Sequence, residues 1–562
     1  MMKNKNMFAA NLQAVFEGYM DKEEILQLIE VPKQRDHGDL AFPCFTMAQH
    51  LRKSPGLIAR QAAESMNKES FEKVEAVGPY VNVFLNKQQT ANEVIGEIFD
   101  KQQDYGASVA GQGEVITIDM SSPNIAKPFS LGHLRSTVIG NSLALLAEKR
   151  GYTAVRINHL GDWGTQFGKL IAAYKRWGSK EQVSRDPIKE LLALYVRFHH
   201  ESEAFPELIE EGREWFKKLE DGDSEALQLW KWFREESLQE FNKIYELLGV
   251  YFDSTEGEAF FNDKMERIVD VLSAKNLLSK SAGAQVVQLI EAGMPPCLIK
   301  KSDGATLYAT RDLAAAVYRK ERYHFAKSLY VVGNEQSLHF NQLSAVLKKM
   351  GYSWWKDIRH ISFGMVLKDG KKLSTRKGKV VLLEEVLKES MELASKNIEA
   401  KNPDLADKQS VAKSVGVGAV VFHDLKNHRN NDIEFSLKDM LRVEGETGPY
   451  VQYTYARACS LLRKGNFQLT GETLVCEEEA WPVVKVLAEF PNTINKAAEN
   501  DDPSKIAKYV IDLAQEFNKF YANKRILEEG KHKYSRLSLT YAASVVLKEG
   551  LRLLGVDSPP EM

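Results

Sequence analysis

The sequence predicts a multidomain protein in which a doubly wound parallel α/β domain lies between an α+β N-terminal domain and an all-α C-terminal domain. Three observations lead to this fold class. The chain has 562 residues, well beyond the size at which one hydrophobic core keeps growing. Strand patterns alternate with helix patterns in its middle, as in Rossmann-like domains with a parallel sheet. From about residue 441 onward, helix signals occur with almost no strand signals.

The first segment mixes helix and strand signals. Residues 53–66 repeat apolar positions with helical spacing, whereas residues 80–85 alternate as a half-buried strand does. A Gly- and Gln-rich run over residues 102–113 then indicates a domain boundary. We therefore place an N-terminal domain at residues 1–110.

The central domain is predicted from strands and helices that follow one another. A strand at residues 115–118 precedes a Pro- and Ser-rich loop and a long amphipathic helix that Gly151 ends, and strands are also predicted at residues 154–157 and 329–332. In such a sheet, ligands bind at the carboxyl ends of the strands. The predicted divisions are a central domain at 111–362 with a helical insertion at about 175–260, a connecting region at 363–440 and a helical domain at 441–562.

Charge and composition limit the classes of function. The 75 Lys plus Arg residues nearly balance the 77 Asp plus Glu residues, so a surface for nucleic acid has to be a local basic patch. The four cysteines lie too far apart for a C-x-x-C site, and we expect reduced thiols. No stretch reaches the roughly 18 apolar residues of a membrane span, and the N-terminus lacks the apolar core of a signal peptide. The sequence therefore predicts a cytoplasmic protein that does not enter a membrane.

The loop at residues 121–133, between a predicted strand and a predicted helix, is suited to phosphate binding. Backbone amides and the positive end of the helix dipole converge at such a position. Gly132 leaves room for a phosphate or a ribose, and His133 can donate a hydrogen bond to a phosphate oxygen. The alternative is a capped helix with a buried histidine, which a lone Gly-His pair indicates more often.

A very basic segment with two glycines lies at residues 368–379. Ammonium and guanidinium groups on a glycine-containing loop can neutralise the charge that builds up on a leaving pyrophosphate. The alternative is a charge run that contacts only solvent, which is the commoner case for such runs. The basic segment alone therefore does not indicate a pyrophosphate site, and it supports one only together with the other motifs.

Tyr308 and Asp312 stand four residues apart and would share one helix face. Asp312 could hold a guanidinium group through two hydrogen bonds, and Tyr308 could pack against the flat side of that group. The alternative is a surface aspartate beside a core tyrosine.

One face of a predicted C-terminal helix carries three residues at i, i+3 and i+7, which are Tyr450, Tyr453 and Arg457. Aromatic rings and a guanidinium group on one face can stack unpaired bases and hold phosphate, which suits an RNA loop better than a duplex. A plain core stripe is the competing interpretation, but the arginine fits it poorly.

Together and in this order, the motifs resemble those of the class I aminoacyl-tRNA synthetases, and within them those of the arginyl-tRNA synthetases. The similarity covers nearly the whole chain. It is carried by SPNIAK at 122–127, LRST at 134–137, NHLGDWGTQFG at 158–168 and YATRDL at 308–313. The resemblance implies a class I catalytic domain, a KMSKS-like loop in the connecting region, an anticodon-binding C-terminal domain and an N-terminal domain that holds the tRNA elbow.

The resemblance also implies a role for individual residues. The arginine site is expected to contain Ser122, Pro123, Asn124, His133, Tyr308, Asp312 and Gln336. ATP is expected at Ser130, Gly132, His133 and Lys372, and the groups that promote the reaction are expected to be Lys127, His133, Lys372 and Ser374. The tRNA is expected to contact Tyr80, Asn82, Tyr450, Tyr453, Arg457, Tyr521 and Met562. No residue is expected to ligate a metal ion.

Two positions depart from the family pattern. Ser130 stands where the first histidine of the HIGH motif usually lies, and serine offers neither an imidazole nor a positive charge. Thr375 replaces the second lysine of KMSKS, although Arg376 and Lys377 follow. Arginyl enzymes with an imperfect KMSKS loop typically carry a lysine just upstream of HIGH, and Lys127 occupies that position. The second departure therefore agrees with family habit.

The activity implied by the resemblance is arginine activation with ATP and Mg²⁺, followed by transfer of the arginyl group to tRNA(Arg). The family resemblance further implies a monomer whose activation step waits for bound tRNA. Two other functions stay open at this point. One is an RNA-binding regulator with a decayed active site, which Ser130 supports, and the other is a nucleotidyltransferase acting on a small molecule.

Overall fold

The structure is a computed structural model that describes residues 2–32, 34–301, 308–368, 370–372, 381–470 and 474–562. Its N-terminal part is a small α+β unit. An antiparallel sheet of order β1-β3-β2 packs against helices. Strands β2 and β3 form a hairpin in which Val77 pairs with Tyr80 next to the turn. The elements are α1 (Met2–Val15), α2 (Lys22–Leu28), β1 (Leu40–Pro43), α3 (Phe45–Leu51), α4 (Pro55–Ser65), β2 (Lys73–Val77), β3 (Tyr80–Phe84) and α5 (Lys87–Lys101).

The central part is built on a four-stranded parallel sheet of order β10-β9-β4-β5. Buried residues such as Ile118 and Val331 fill its strands, as expected for a sheet covered on both faces. The elements are β4 (Val115–Asp119), α6 (Leu131–Lys149), β5 (Thr153–Ile157), α7 (Thr165–Trp177), α8 (Lys180–Arg185), α9 (Pro187–Ala204), α10 (Glu207–Glu220), α11 (Ser224–Leu248), α12 (Met265–Ala274), β6 (Leu278–Ser281), β7 (Ala284–Val287), β8 (Cys297–Lys300), α13 (Tyr308–Tyr323), β9 (Lys327–Gly333), α14 (Ser337–Lys349) and β10 (Ile358–Phe363).

A small antiparallel sheet, β6-β7-β8, lies between α12 and α13 and was not predicted from the sequence. Its strands have four residues each, and Lys280 and Gln285 interrupt any apolar alternation. The turn between β6 and β7 contains Ala282 and Gly283, both with positive φ. Such short, mixed strands give too weak a period-2 signal to be recognised.

The connecting region and the C-terminal part complete the chain. The first contains β11 (Val366–Lys368), β12 (Lys371–Lys372), α15 (Leu383–Lys401), α16 (Lys408–Leu425), β13 (Ile433–Glu434) and α17 (Leu437–Met440). The second contains α18 (Gly448–Lys464), α19 (Trp481–Glu499), α20 (Ser504–Asn523) and α21 (Lys533–Leu553), which pack against one another. Strands β12, β11 and β13 form a small mixed sheet.

The N-terminal unit docks directly on the C-terminal helices. Asp39 is buried at this junction, where its Oδ2 accepts from the Leu85 amide at 3.0 Å and its Oδ1 from Trp481 Nε1 at 3.0 Å. Lys485 Nζ lies 3.2 Å from the same Oδ1. One carboxylate therefore ties strand β3 to helix α19.

The three-part prediction is confirmed in its fold class. The structure contains the parallel sheet, the mixed N-terminal unit and the helical C-terminal part, and the strands predicted at 80–85, 115–118, 154–157 and 329–332 are found with ends displaced by at most two residues. Among the described residues, no helix is long and apolar enough to cross a membrane.

Candidate active site

The carboxyl ends of β4 and β5 are joined by a short continuation of their pairing. The Ile125 amide donates to the Gly161 carbonyl and the Gly161 amide to the Pro123 carbonyl, each at 3.1 Å. A Cβ on Gly161 would lie 2.5 Å from Asn124 Oδ1, so a side chain there would displace the asparagine. The glycine of the GDWG motif thus lets the Ser122–Asn124 loop lie against the end of β5.

The loop between β4 and α6 is held in an unusual backbone conformation. Ser121, Ser122 and Ala126 all have positive φ, at 72°, 52° and 59°. Such residues are strained unless their surroundings fix them. The Ser121 amide donates to Ser136 Oγ at 2.9 Å, and Ser122 Oγ donates to Asp119 Oδ1 at 2.9 Å. These contacts fix the shape of the loop before any ligand arrives.

Ser130 and His133 form one hydrogen-bonded unit at the N-terminus of α6. The Ser130 amide donates to His133 Nδ1 at 3.1 Å, and Ser130 Oγ lies 3.1 Å from the same nitrogen. A nitrogen that accepts from an amide carries no proton, which places the proton of the neutral ring on Nε2. Burial and the charge of Lys127 lower the pKa of His133 to about 4. His133 is therefore a neutral donor at pH 7.

Lys127 and Gly132 flank this unit on the surface. Both residues are exposed, Lys127 just before the helix and Gly132 in its first turn. The positive end of the helix dipole and the ammonium group of Lys127 favour an anion here. Within the described residues, the predicted phosphate site therefore combines the neutral His133 imidazole, the N-terminus of α6 and the Lys127 ammonium group.

Asp312 of α13 is paired with His339, a residue that was not predicted from the sequence. His339 of α14 places its Nε2 2.5 Å from Asp312 Oδ2. Burial acts to raise the pKa of Asp312, but the hydrogen bond and the charge of His339 outweigh it, so that the pKa is lowered. For His339, burial acts to lower the pKa, and Asp312 reverses the direction. Both shifts favour a carboxylate on Asp312 and an imidazolium ion on His339.

A second acid-base pair lies deeper in the same pocket. Arg319 of α13 places Nη2 2.8 Å from Asp119 Oδ2, and its guanidinium lies over the Tyr330 ring at 5.1 Å. His159, which follows β5, is also buried, and burial lowers its pKa. Asp119 and His159 follow or end parallel strands, and that position is the signal that could have identified them.

Glu258 forms the outer wall of the pocket. Its Oε2 lies 3.3 Å from Arg311 Nη1. Burial raises the pKa of Glu258 to about 7, against the charge of Arg311 and with a contribution from Asp312. The site thus contains two carboxyl groups with opposite pKa shifts, because the pKa is raised for Glu258 and lowered for Asp312.

Tyr308 and Gln336 are exposed at the mouth of the pocket. Tyr308 begins α13 with 63% of its surface accessible, and Gln336 lies in the 3₁₀ turn after β9. Tyr308 also lines a cavity of about 690 Å³ together with Trp163, Gln166 and Arg311. Both residues are therefore free to meet a ligand from the open side.

The basic loop is described only at its flanks. Ser374 lies outside the described residues, and Lys372 is described by its backbone, which pairs with Leu367. On the far side of the loop, the Leu383 amide donates to the Phe129 carbonyl at 3.0 Å, and Leu382 forms a β-bridge with Ser130. One flank of the loop is therefore fixed beside the first turn of α6.

Arg135 fixes the other flank. Its Nη1 donates to the Asn431 carbonyl at 2.9 Å and its Nη2 to the Arg429 carbonyl at 3.3 Å, just before β13. Its Nε lies 3.1 Å from Asp424 Oδ2, and both side chains are at most 2% exposed. Burial raises the pKa of Asp424, and the charge of Arg135 opposes this. Helix α6 is thus bound to the sheet from which the basic loop begins.

The C-terminal candidates gather on one surface formed by α18 and α20. The Arg457 guanidinium lies 4.9 Å from the ring centroids of both Tyr453 and Tyr521, and its Nη1 donates to Asn518 Oδ1. Tyr450 Oη accepts from Asn518 Nδ2 at 3.0 Å. The exposed Tyr453 also lines a cavity of about 730 Å³ to which Met562 contributes. Five of the seven predicted tRNA contacts therefore lie on or beside this surface.

The two N-terminal candidates differ in exposure. Tyr80 is partly exposed and packs edge-on against Phe45 at 5.8 Å between ring centroids. Asn82 is only 2% exposed, and its Nδ2 donates to the His37 carbonyl at 2.5 Å. The prediction that Asn82 contacts tRNA directly is therefore not supported by its position, because the polar side chain supports a turn from inside. Burial of this kind gives no sequence signal, since alternation in β3 would place Asn82 outside.

Known families match the chain along its length. The model described as tRNA synthetases class I (R), catalytic domain, matches residues 94–437. The arginyl tRNA synthetase N-terminal domain matches residues 3–85, and the DALR anticodon binding domain matches residues 451–562. The chain belongs to the class I arginyl-tRNA synthetase family. The predicted resemblance and the predicted fold class are both confirmed.

Individual members of the family are similar to this chain over its full length. Arginine–tRNA ligase 2 of Bacillus anthracis is 58% identical over 562 residues, and the arginine–tRNA ligase of Enterococcus faecalis is 59% identical over 563 residues, with 100% of both chains covered in each case. The arginyl-tRNA synthetase structure from Plasmodium falciparum has a TM-score of 0.83 at 25% identity and covers 100% of this chain and 99% of that chain. The Thermus thermophilus arginyl-tRNA synthetase has the same fold, with a TM-score of 0.83 at 24% identity and full coverage of both chains.

Proposed function

We propose that the protein is an arginine–tRNA ligase that converts ATP, L-arginine and tRNA(Arg) to arginyl-tRNA(Arg), AMP and diphosphate through an arginyl-adenylate. One observation carries the proposal within this family. The Asp312 carboxylate lies close to Asp119 and His159 at the carboxyl edge of the parallel sheet, the edge at which α6 begins with a first turn suited to an anion. A guanidinium pocket beside a phosphate site is what arginine activation requires.

The amino-acid site is proposed to use both walls of the pocket. Ser122, Pro123 and Asn124 form the fixed loop at the end of β4, where they would receive the α-amino and carboxylate groups. Asp312 would take the guanidinium group, with Tyr308 and Gln336 closing the mouth. Arginine is preferred over lysine because a carboxylate can bind its planar fork through two hydrogen bonds.

The ATP site is proposed at the first turn of α6. No protein nucleophile is needed, because the arginine carboxylate attacks the α-phosphate directly. His133 would donate its Nε2 proton to a phosphate oxygen as a neutral group, and Lys127 would supply positive charge. Ser130 and Gly132 would shape the phosphate site, while Lys372 and Ser374 of the basic loop would contact the pyrophosphate. Positioning and charge stabilisation therefore account for the rate enhancement.

Mg²⁺ is proposed to enter with ATP. The residues around the first turn of α6 offer amide, imidazole and ammonium donors, which fit phosphate oxygens rather than the ion. Among the described residues, no group of three or more His, Cys, Asp or Glu side chains has the arrangement of a metal site. Mg²⁺ in phosphate sites is commonly held by substrate oxygens, water and few protein ligands. The ion would thus reduce the negative charge of the phosphates while Lys127 and His133 orient them.

The experiment that tests the proposal is arginine-dependent exchange of pyrophosphate into ATP, measured with and without tRNA(Arg). A ligase should show exchange and form arginyl-tRNA. An RNA-binding regulator would bind tRNA without exchange, and a nucleotidyltransferase for a small molecule would show no dependence on tRNA at any step. Absence of exchange in both conditions would refute the enzyme assignment. Exchange without tRNA would remove only the prediction that activation waits for tRNA.

Replacing Ser130 by histidine should leave the activity equal or higher. The side chain lies partly exposed at the first turn of α6, and an imidazole there would add a second phosphate donor. Loss of a helix N-cap residue costs about 0.5–2 kcal/mol of stability, so the variant should still fold. We expect kcat/KM for ATP to rise or stay constant in the exchange assay. A large fall in kcat/KM would instead show that the hydroxyl group has a specific role at this position.

Replacing Arg457 by methionine should weaken tRNA binding and leave KM for arginine unchanged when tRNA is saturating. Loss of the cation between Tyr453 and Tyr521 removes stacking and phosphate contacts worth about 1–3 kcal/mol, which corresponds to a KM for tRNA about 5- to 150-fold higher. The measurement compares KM for tRNA and for arginine in aminoacylation. Lys519→Met, on the exposed side of helix α20, which also carries Tyr521, is the matched control. Equal effects of both substitutions would count against the proposed surface.

The remaining predictions concern the whole molecule. We propose the domain divisions 1–110, 111–362, 363–440 and 441–562 for the tRNA-elbow, catalytic, connecting and anticodon-binding parts. A monomeric state and a cytoplasmic location also stay predictions.

A further inference from the structure

The carboxylate proposed for the substrate guanidinium already contacts a histidine side chain of the protein. His339 Nε2 and Asp312 Oδ2 are 2.5 Å apart, and the two side chains are 23% and 26% exposed, so both can be reached from the pocket. They come from different helices, α14 and α13, which pack against each other. The pair thus spans the floor of the site rather than a helix surface.

Other charged groups surround this pair from every neighbouring element. They are Arg311 and Arg319 on α13, Asp119 at the end of β4, His159 and Asp162 after β5, Glu258 in the turn before α12, Glu335 in the turn before α14 and His360 on β10. The arginines do not lose protons at any pH of interest, and burial lowers the pKa of both His159 and His360. His339 and Glu258 are therefore the groups whose charge can respond to a ligand near neutral pH.

We propose that His339 is a proton-linked positioning residue, which holds the Asp312 carboxylate in place while the pocket is empty and releases its proton when a guanidinium takes that carboxylate. The inference rests on the proposed function, because it takes arginine as the ligand of Asp312. Two cations cannot share one half-buried carboxylate without repulsion. A guanidinium group stays charged, whereas an imidazolium ion can become neutral by losing a proton to water.

The consequence is a coupling between arginine binding and pH. The imidazolium and arginine enter the step as cations; arginine stays charged, neutral imidazole remains in the protein, and one proton passes to the buffer. Arginine affinity should therefore increase with pH by up to about tenfold per pH unit while His339 is protonated in the empty pocket, and level off above its pKa. Because Asp312 raises the pKa of His339, the rise should extend above the ordinary titration range of histidine, which is centred at about 6.5.

The test counts protons released when the full-length protein binds arginine. Calorimetric titrations at about pH 7 in two buffers with different ionisation heats give that number. The wild type should release a proton, and His339→Gln, whose amide can still donate to Asp312, should release far less. His360→Gln is the matched control, because its ring also packs on Phe340, which contacts His339, but its Nε2 donates to the Val332 carbonyl and not to Asp312. It should behave as the wild type does.

Glu258→Gln separates the second titrating group from the first. The pKa of Glu258 is about 7, so this carboxyl group could release a proton to the same approaching cation. Equal proton release in the wild type and His339→Gln would overturn the proposal, as would loss of release only in Glu258→Gln. If His339→Gln does not fold, the pH profile of Glu258→Gln decides, since KM for arginine should still fall from about pH 6 to about pH 8 in that variant while KM for ATP stays constant. A flat arginine profile would also overturn it.

Failure of the proposed function would look different. If the protein neither binds nor activates arginine at any pH, both the ligase assignment and this inference are wrong. A protein that forms arginyl-tRNA without proton release linked to His339 would lose only the inference.

Discussion

Asp312→Asn should raise KM for arginine about 10- to 150-fold and change KM for ATP much less. The substitution keeps the shape of the side chain but removes the negative charge, and a charge-assisted hydrogen bond of this kind is worth about 1.5–3 kcal/mol. It also leaves His339 without the carboxylate that now binds it at 2.5 Å. The effect should appear in arginine-dependent exchange and in aminoacylation alike.

The matched control for this variant is Asp270→Asn. Asp270 is exposed on α12 in the same part of the chain, so its substitution should leave both KM values unchanged. Equal increases in KM for arginine and ATP in Asp312→Asn would show that the residue supports the fold of the site as a whole rather than the guanidinium group.

Arg135→Met should cause the largest loss of stability. It leaves Asp424 buried without a cation and frees the carbonyl groups of Arg429 and Asn431. Breaking a buried ion pair by removing one partner typically costs about 3–5 kcal/mol. Because a chain of several domains does not unfold in two states, the quantity to compare is the midpoint of the transition in urea, followed with a probe in the central part.

The pH dependence of this loss has a definite sign. The pKa of Asp424 is raised by burial, and loss of Arg135 should raise it further. A carboxyl group whose pKa is raised in the folded state favours folding as pH falls, because the folded protein then binds the proton more tightly. The deficit of Arg135→Met should therefore shrink from about pH 8 to about pH 5. The double variant with Asp424→Leu should recover much of the stability at pH 8, and no recovery would show that the contacts to Arg429 and Asn431 dominate.

The sequence predicted the parts of the site that repeat a local pattern. The strand–loop–helix unit at Ser122–His133 follows from apolar periodicity and helix-start chemistry, and Asp312 was found because it shares a helix face with Tyr308. The pairing of Asp312 with His339 could not be found in this way. These residues are 27 positions apart on two helices, and only the packing of α13 on α14 brings them together.

The burial of individual polar side chains also could not be predicted from the sequence. Ser130 was understood as a replacement for a histidine, yet the structure shows its amide setting the tautomer of His133. Asn82 is predicted to contact tRNA, but its side chain is buried and donates to the His37 carbonyl. Arg135 lies within a motif that carried the family resemblance, and nothing local indicated that it bonds a segment almost 300 residues away. Long-range contacts decide each of these cases, and local periodicity contains no information about them.

The junction at Asp39 makes the two parts of the chain that are proposed to bind tRNA dependent on each other. If residues 1–85 were cut away, the Trp481 indole and Lys485 would lose their acceptor, and the side of α19 that they occupy would face water. Helix α19 supports α20, which carries Tyr521. Truncation would therefore disturb both proposed tRNA contacts at once, and a loss of tRNA affinity could not be assigned to the N-terminal unit alone. A point substitution on the outer surface of the N-terminal unit, such as Tyr80→Ala, would separate the two contributions.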